Sequence, residues 1–208
     1  MPRILTAAAA QLGPIQRHEP RSVAVDRMIR LMERAHVRGV QLVVFPELAL
    51  TTFFPRHYCE DRAEADPWFE TAMPSNETAP LFDAARRLGI GFHLGYAEIA
   101  EEPDDAGVVR RRHFNTAILV SPAGDILLKY RKVHLPGHAD FNPARRVQHL
   151  EKRYFEVGNL GFPVVRAPMG DGALNMGLMI CNDRRWPEAW RVLGLQSVEL
   201  VMLGYNTP

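Results

Sequence analysis

Hydrophobic residues along the chain follow two periods, one helical and one typical of strands. Val25, Met28 and Met32 recur at helical spacing within 22–36, and the serine at the start of this range favours the first position of a helix. We therefore expect an amphipathic helix over 22–36. The short unbroken apolar run 41–45 is typical of a strand that is covered on both faces in a parallel sheet.

The same alternation of patterns continues along the chain. We expect a buried first strand over 4–10 and a second helix that starts at Ser75 or Asn76 and ends before Gly89. Further strands are predicted over 90–97, 114–120, 126–133, 163–167, 173–180 and 198–203, with a helix over 186–195 before the last strand. The β-α-β-α-β order of the first half indicates an α/β fold.

Three segments lack a regular period. Residues 51–67 and 134–158 mix aromatic, charged and proline residues, and irregular segments of this length are usually functional. Residues 101–112 combine an acidic cluster with Arg110, Arg111 and Arg112 around a glycine. We expect an exposed hairpin loop there, whose charges compensate each other.

Composition narrows the possible partners. The chain has 208 residues, of which 47% are hydrophobic, and 25 basic residues balance 24 acidic ones. We expect one globular domain over 1–208 that binds a small molecule, and neither nucleic acid nor a membrane, because no basic field and no apolar run of about 20 residues is present. Cysteines number only two, which fits a reducing compartment and predicts a cytoplasmic protein.

Reactive side chains stand at the ends of three predicted strands. Glu47 follows the run 41–45, Lys132 lies near the end of 126–133, and Cys181 follows 173–180. If these strands are neighbours, a carboxylate, an ammonium and a thiol converge, which is the set that acyl transfer needs as base, oxyanion stabiliser and nucleophile.

The segment that follows Cys181 adds an anion site. Trp186-Pro187-Glu188 is typical of a helix start, so the thiol is expected at a strand-to-helix turn, where backbone N–H groups favour a thiolate or an oxyanion. Arg184 and Arg185 could hold an anion at the same place.

Each of these residues also has a plain structural interpretation. A single cysteine after an apolar strand is more often a core residue, Glu47 could be a helix cap or an ion-pair member, and Lys132 a solvated strand end. His134, His138 and His149 lack compact zinc-ligand spacing, and no strand is followed by the glycine-rich dinucleotide fingerprint. We therefore expect neither a metal nor a cofactor.

Five sequence motifs resemble those of one family. They are Val43–Glu47 (VVFPE), Tyr130–His138 (YRKVHLPGH), His149–Phe155 (HLEKRYF), Cys181–Glu188 (CNDRRWPE) and Gly204–Pro208 (GYNTP). The chain resembles the nitrilase superfamily of carbon–nitrogen hydrolases, and within it the N-carbamoyl-D-amino acid amidohydrolases, or D-carbamoylases. The paired arginines and the two histidine-rich motifs carry the narrower resemblance.

The resemblance implies a role for each matching residue. Glu47, Lys132 and Cys181 match the catalytic Glu-Lys-Cys triad, and Glu151 matches a second glutamate that helps to hold the lysine and the substrate. His134 and His149 match histidines that support the site. The positions that match the substrate pocket are Asn182, Arg184, Arg185, Asn206 and Thr207.

The resemblance also implies a fold and a reaction. The fold is an α-β-β-α sandwich, which we expect to be incomplete at its C-terminal end, because family members continue well beyond Pro208. The whole protein is expected to form a homodimer or homotetramer and to hydrolyse N-carbamoyl-D-amino acids to the D-amino acid, carbon dioxide and ammonia. The alternatives are another amidase of the superfamily, such as a β-ureidopropionase, and an inactive fragment that only binds a partner.

Overall fold

The computed structural model describes residues 3–104 and 106–206, which form two β-sheets and four α-helices. The first sheet contains β1 (Ala7–Ala9), β2 (Leu42–Val44), β3 (Gly91–Pro103), β4 (Val109–Val120) and β5 (Ile126–Arg131), in that spatial order. The second sheet contains β6 (Val164–Met169), β7 (Gly172–Ile180) and β8 (Leu200–Gly204).

The helices are α1 (Arg21–His36), α2 (Ala79–Leu88), α3 (Glu151–Tyr154) and α4 (Pro187–Leu195). Helix α1 connects the parallel strands β1 and β2, and α2 connects the parallel strands β2 and β3. Helix α4 likewise connects β7 with its parallel neighbour β8, whereas β3, β4 and β5 form antiparallel hairpins. Parallel neighbouring strands need such crossover connections, because a tight turn reverses the chain direction and therefore joins antiparallel strands.

Three apolar clusters define the layers. The first joins α1 and α2 to one face of the first sheet, and the last joins α4 to the outer face of the second sheet. Between them lies a cluster shared by the two sheets, which includes Leu42, Leu119, Met176, Leu178 and Ile180. The chain therefore forms the expected α-β-β-α sandwich.

Alternation along single strands produces these layers. In β7, Met176, Leu178 and Ile180 face the first sheet, while Met179 packs against Leu193 of α4. Side chains of a strand point to opposite faces in turn, so one apolar strand can serve two clusters. This explains why the last part of β7, residues 176–180, is an unbroken apolar run rather than an alternating one.

The first strand differs from its prediction. Only 7–9 form a strand, and these residues are exposed or half-buried. Strand β1 pairs with β2 alone and is an edge of the first sheet. Four consecutive alanines fit such an edge, because a methyl side chain exposes little apolar surface when few neighbouring residues cover it.

Helix starts also differ from their predictions. Pro20 is the N-cap of α1, so Ser22 lies inside the helix. Helix α2 begins at Ala79, because Ser75 and Thr78 form a turn before it, in which the Ser75 N–H donates to Thr78 Oγ1 at 2.7 Å. The helix ends at Gly89, as expected, in the left-handed conformation that glycine adopts without strain.

The charged segment 101–112 is a hairpin, but most of it is strand. Glu101 and Arg111 face each other across β3 and β4, as do Glu102 and Arg110. Opposite charges on directly paired positions stabilise an antiparallel ladder. The pairing therefore continues to the tip near Gly107.

The two long irregular segments contain only short helical turns. The first, 51–67, contains the 3-10 helix Phe54–Arg56 and most of the 3-10 helix Arg62–Trp68, and the second, 134–158, contains the one-turn helix α3. Among the described residues no helix has the length and apolar character that crossing a membrane requires.

Candidate active site

Glu47, Lys132 and Cys181 follow the ends of β2, β5 and β7, and all three are buried. The condition under which we expected them to converge, neighbouring strands, is not met, since β3 and β4 separate β2 from β5 and β7 belongs to the other sheet. The three side chains approach one another because the segment that carries Glu47 crosses over β3.

Two glycines make this crossing possible. A Cβ atom on Gly95 of β3 would lie 2.9 Å from the Glu47 Cα and 2.9 Å from the Pro46 carbonyl oxygen. From the second sheet, a Cβ atom on Gly204 would lie 3.0 Å from the Glu47 nitrogen. Side chains at either position would push the Glu47 segment away, so the glycines set where the carboxylate lies.

Lys132 bridges two buried carboxylates. Its Nζ donates to Glu47 Oε1 at 2.6 Å and to Glu151 Oε2 at 2.6 Å. Lys132 and Glu151 are both fully buried, and Glu47 is 1% exposed. A buried ammonium has three N–H donors, so one remains for another acceptor.

The charges in this cluster shift each other's protonation. Burial alone would lower the pKa of Lys132, but the Glu47 and Glu151 carboxylates outweigh it and raise that pKa above its ordinary value. Burial and the neighbouring Glu151 raise the pKa of Glu47, although Lys132 and Asn115 oppose the shift. Lys132 is therefore the fixed cation of the site, and Glu47 is moved towards the range of a general base.

Cys181 lies at a strained turn. Its φ is 45°, in the left-handed region that a cysteine rarely adopts, and it starts the 3-10 helix Cys181–Arg185 that precedes α4. Non-glycine residues in this region cost on the order of 1–3 kcal/mol and cluster at functional sites. The turn directs the chain from the inter-sheet core towards the outer helix.

The thiol itself is held in the neutral form. Burial, and then the Glu47 carboxylate, raises the pKa of Cys181 to about 11, while Lys132 and Arg184 oppose the shift. The sequence led us to expect an environment that favours the thiolate, and burial outweighs that effect. A base must therefore remove the proton if the sulfur is to attack.

Arg184 lies directly against this turn. Its Nη1 donates to the Cys181 carbonyl oxygen at 2.7 Å and lies 3.8 Å from the sulfur. The guanidinium also stacks over the Tyr205 ring, 5.2 Å from its centroid. Arg185, in contrast, is exposed.

Asp183 holds the Cys181 turn, a role that our sequence analysis missed. Its Oδ2 accepts hydrogen bonds from the Tyr130 hydroxyl at 2.7 Å and the Ile180 N–H at 3.0 Å. Its Oδ1 accepts from the His134 N–H at 3.0 Å. Ile180 is the N-cap of the helical turn, and Asp183 lies three positions after it. An acidic residue at this position is half of a capping box, and this signal could have identified Asp183.

The two histidines occupy supporting positions. His134 Nδ1 lies 2.8 Å from Asp183 Oδ1, its ring stacks on Trp186, and its carbonyl oxygen accepts from Asn182 Nδ2 at 3.0 Å. His149 Nε2 lies 2.9 Å from Glu151 Oε1. Each histidine thus contacts a buried carboxylate of the site rather than the sulfur.

Asn115 of β4 is a second residue that the sequence analysis missed. Its Nδ2 donates to Glu47 Oε1 at 2.8 Å, and its carbonyl oxygen accepts from the Lys132 N–H at 2.8 Å. No sequence signal distinguishes this asparagine, because it lies inside a strand. At the other end of the carboxylate, the Asn206 N–H donates to Glu47 Oε2 at 3.1 Å.

Thr207, the remaining predicted pocket residue, lies outside the described residues. Within 3–104 and 106–206, no group of three or more His, Cys, Asp or Glu side chains could hold a metal ion. A cavity with a volume of about 920 Å³ is lined by parts of 9–15, 44–57 and 203–206. It reaches Glu47 but neither Lys132 nor Cys181, so the reactive cluster lies at its wall.

Comparison with known proteins places these residues in a family. The sequence profile described as Carbon-nitrogen hydrolase matches residues 6–207. The chain belongs to the carbon–nitrogen hydrolase family. The profile covers all three strand ends that carry Glu47, Lys132 and Cys181.

Relatives of this carbon–nitrogen hydrolase chain include enzymes of several names. It is 35% identical over 175 residues to a nitrilase of Pyrococcus abyssi, which covers 83% of this chain and 54% of the relative. It is 25% identical over 202 residues to the N-carbamoylputrescine amidase of Solanum lycopersicum, covering 96% and 57%. A β-ureidopropionase of Arabidopsis thaliana and a formamidase of Bacillus thuringiensis also match.

Solved structures agree with the fold. The carbon–nitrogen hydrolase of Helicobacter pylori G27 superposes with a TM-score of 0.73 at 22% identity, over 97% of this chain and 60% of that one. The chain spans about half the length of the curated relatives it matches.

The Asp183 contacts generate a stability prediction. In an Asp183→Ala variant the buried Tyr130 hydroxyl and the Ile180 N–H lose their acceptor. Stranded buried donors cost about 1–3 kcal/mol each, so we expect urea unfolding to give a free energy of unfolding that is lower by about 2–6 kcal/mol.

Asp171→Ala is the matched control, because this aspartate lies at an exposed turn of the carbon–nitrogen hydrolase chain. Its effect should stay within about 0.5 kcal/mol. Similar small losses in both variants would contradict the role assigned to Asp183.

Proposed function

We propose that the protein hydrolyses N-carbamoyl-D-amino acids, with Cys181 as nucleophile, Glu47 as general base and Lys132 as the stabiliser of the oxyanion. The observation that carries the proposal is the buried Lys132 ammonium shared by Glu47 and Glu151, beside a neutral thiol at a strained turn. A base, a fixed cation and a nucleophile in one buried cluster are the parts that acyl transfer requires.

The first step forms a bond between the Cys181 sulfur and the ureido carbon. Glu47 takes the thiol proton as the sulfur attacks, and the carbonyl oxygen becomes an oxyanion. The third N–H of Lys132 and the N–H of Asn182 stabilise that charge. The C–NH₂ bond then breaks, Glu47 returns the proton to the leaving nitrogen, and ammonia departs.

Water completes the reaction at the same carbon. Glu47 accepts a proton from the water molecule, whose oxygen attacks the thiocarbamate and displaces the sulfur, which regains its proton. The released carbamic acid decomposes to carbon dioxide and the free amino acid. The sum is one water consumed, with one ammonia, one carbon dioxide and one amino acid formed.

Covalent chemistry in a structural neighbour supports the nucleophile. Structures of mutants of the amidase from Nesterenkonia sp. AN1 hold acrylamide, and the acetamide moiety of fluoroacetamide, on its active-site cysteine. That enzyme is 22% identical to this chain. Cys181, buried beside Glu47 and Lys132, is the cysteine that offers the same chemistry here.

Arg184 supports a substrate that carries a carboxylate. Its guanidinium lies 3.8 Å from the sulfur, so an anion held there would lie beside the carbon under attack. A cationic substrate such as N-carbamoylputrescine would be repelled at this place. Preference for the D enantiomer and a homodimer or homotetramer rest on the sequence resemblance alone, and a cytoplasmic location rests on the low cysteine count.

A β-ureidopropionase function is the second candidate, because a relative of that name matches the chain and its substrate also carries a ureido group and a carboxylate. The substrates of the two candidate enzymes differ in the distance between the ureido group and the carboxylate. Ammonia release from N-carbamoyl-D-phenylglycine, N-carbamoyl-L-phenylglycine and N-carbamoyl-β-alanine separates them. A protein that only binds a partner would release none.

The nucleophile is tested by intact mass after incubation with N-carbamoyl-D-phenylglycine at low pH. We expect an adduct equal to the substrate less ammonia, because the thiocarbamate forms before water removes it. The adduct should be lost in Cys181→Ala and kept in Cys59→Ser, since Cys59 is buried in another cluster. An adduct that persists in Cys181→Ala would rule out this nucleophile.

The carboxylate site is tested with Arg184→Ala. We expect KM to rise about 10- to 100-fold for N-carbamoyl-D-amino acids, as loss of a charged hydrogen bond implies, and to change little for the corresponding neutral N-carbamoyl amines. Arg185→Ala is the matched control and should have a smaller effect, because Arg185 is exposed. Equal effects of Arg184→Ala on both substrate classes would refute its role.

A further inference from the structure

The Glu47 carboxylate is held by three hydrogen bonds that treat its two oxygens differently. Oε1 accepts from Lys132 Nζ at 2.6 Å and from Asn115 Nδ2 at 2.8 Å. Among residues 3–104 and 106–206, Oε2 accepts only from the Asn206 N–H at 3.1 Å. Each carboxylate oxygen has two lone-pair sites, so Oε1 is filled and Oε2 keeps one free.

We infer that Asn115 is a positioning residue that fixes the Glu47 carboxylate so that Oε2, rather than Oε1, takes the proton of the Cys181 thiol. The inference rests on the proposed function, because it assumes that Glu47 acts as the base. Without Asn115, one lone pair of Oε1 is free and the carboxylate can turn about its bond to the side chain.

The burial of Asn115 supports a positioning role. The residue is 1% exposed, and its Oδ1 has no hydrogen-bond partner among the described residues. An unsatisfied buried oxygen costs free energy that an apolar side chain of the same shape would avoid. An asparagine at this position is therefore explained by its Nδ2 contact with Glu47 and not by packing.

The backbone of Asn115 couples this contact to the lysine. Its carbonyl oxygen accepts from the Lys132 N–H at 2.8 Å, where β5 ends. Asn115 thus holds the Glu47 carboxylate with its side chain and the Lys132 backbone with its main-chain carbonyl. A shift of β4 would move base and ammonium together and keep their separation.

The electrostatic effect of the contact has a definite sign. The groups that act on Glu47 are the Lys132 ammonium and the Asn115 amide, which lower its pKa, and the Glu151 carboxylate, which raises it. Cys181 and the Asn206 N–H also lie beside this carboxylate. Loss of the Asn115 donor therefore raises the pKa of Glu47, and the base becomes active only at higher pH.

Alkylation of Cys181 by iodoacetamide tests this without turnover. The sulfur–carbon bond forms, the carbon–iodine bond breaks, iodide leaves, and the thiol proton passes to Glu47. The rate is measured from pH 5 to 9 by peptide mass mapping of the chain. In Asn115→Leu we expect the acid-side midpoint to move up by about one pH unit, the shift that one charged hydrogen bond produces, and the plateau rate to fall.

Thr116→Val is the matched control. Thr116 is the next residue of β4, fully buried, and its Oγ1 donates at 2.7 Å to Glu98, outside the site. It should lower stability without moving the midpoint. Cys59, which is 1% exposed, reports unfolding through its own alkylation, and if Asn115→Leu exposes Cys59, the measurement is made on Asn115→Ala.

The outcomes separate this inference from the proposed function. If Glu47→Gln leaves the acid limb of the wild-type profile unchanged, Glu47 is not the base and the proposed function fails. If Glu47→Gln removes the limb but Asn115→Leu and Thr116→Val share the wild-type midpoint, Asn115 is only structural and the positioning role is overturned. A raised midpoint in the Asn115 variant alone supports it.

Discussion

A buried ammonium between two buried carboxylates is the interaction on which the rest of the site depends. Lys132 satisfies Glu47 and Glu151 at once, and the three side chains are almost fully removed from solvent. Burying such charges is costly unless hydrogen bonds meet the remaining lone pairs. Asn115, the Asn206 N–H and His149 supply these bonds, so the cost is offset only when these three separate parts of the chain are in place.

The sandwich brings these parts together from both sheets. Gly95 lets the Glu47 segment pass over β3, and Gly204 lets the end of β8 close on the same segment. The Cys181 turn approaches from β7 and is held to the end of β5 by Asp183, which contacts Tyr130 and the His134 N–H. The apolar core between the sheets thus sets the frame, and buried polar contacts set the positions of the reactive atoms.

Sequence patterns predicted the positions of the helices and strands better than the contacts between distant residues. Apolar periodicity located α1, α2, α4 and most strands, because burial on one face imposes a spacing that can be read along the chain. It also placed Glu47, Lys132 and Cys181 at or near the ends of strands, where the structure has them. The edge position of β1 and the length of the 101–112 hairpin depend on pairing between distant residues, which periodicity does not contain.

The site residues missed by sequence analysis share a cause. Asn115 lies within a strand and Asp183 within a turn, and their functions come from partners 68 and 53 residues away. The raised pKa of Cys181 likewise comes from burial, which a lone cysteine after an apolar strand does not specify. Such roles become visible only when the sheets are assembled.

The central claim, that Lys132 keeps two buried carboxylates charged, is tested most directly by the pH dependence of stability in Lys132→Met. Without the ammonium, burial and the Glu151 carboxylate raise the folded-state pKa of Glu47 further above that of the unfolded chain, so the folded state binds more protons and loses stability as the pH rises. By urea unfolding, the free energy of unfolding of Lys132→Met should be about 3–5 kcal/mol lower than that of wild type at pH 8, and this difference should narrow as the pH falls to 5. A deficit that stays the same from pH 8 to pH 5 would contradict the claim.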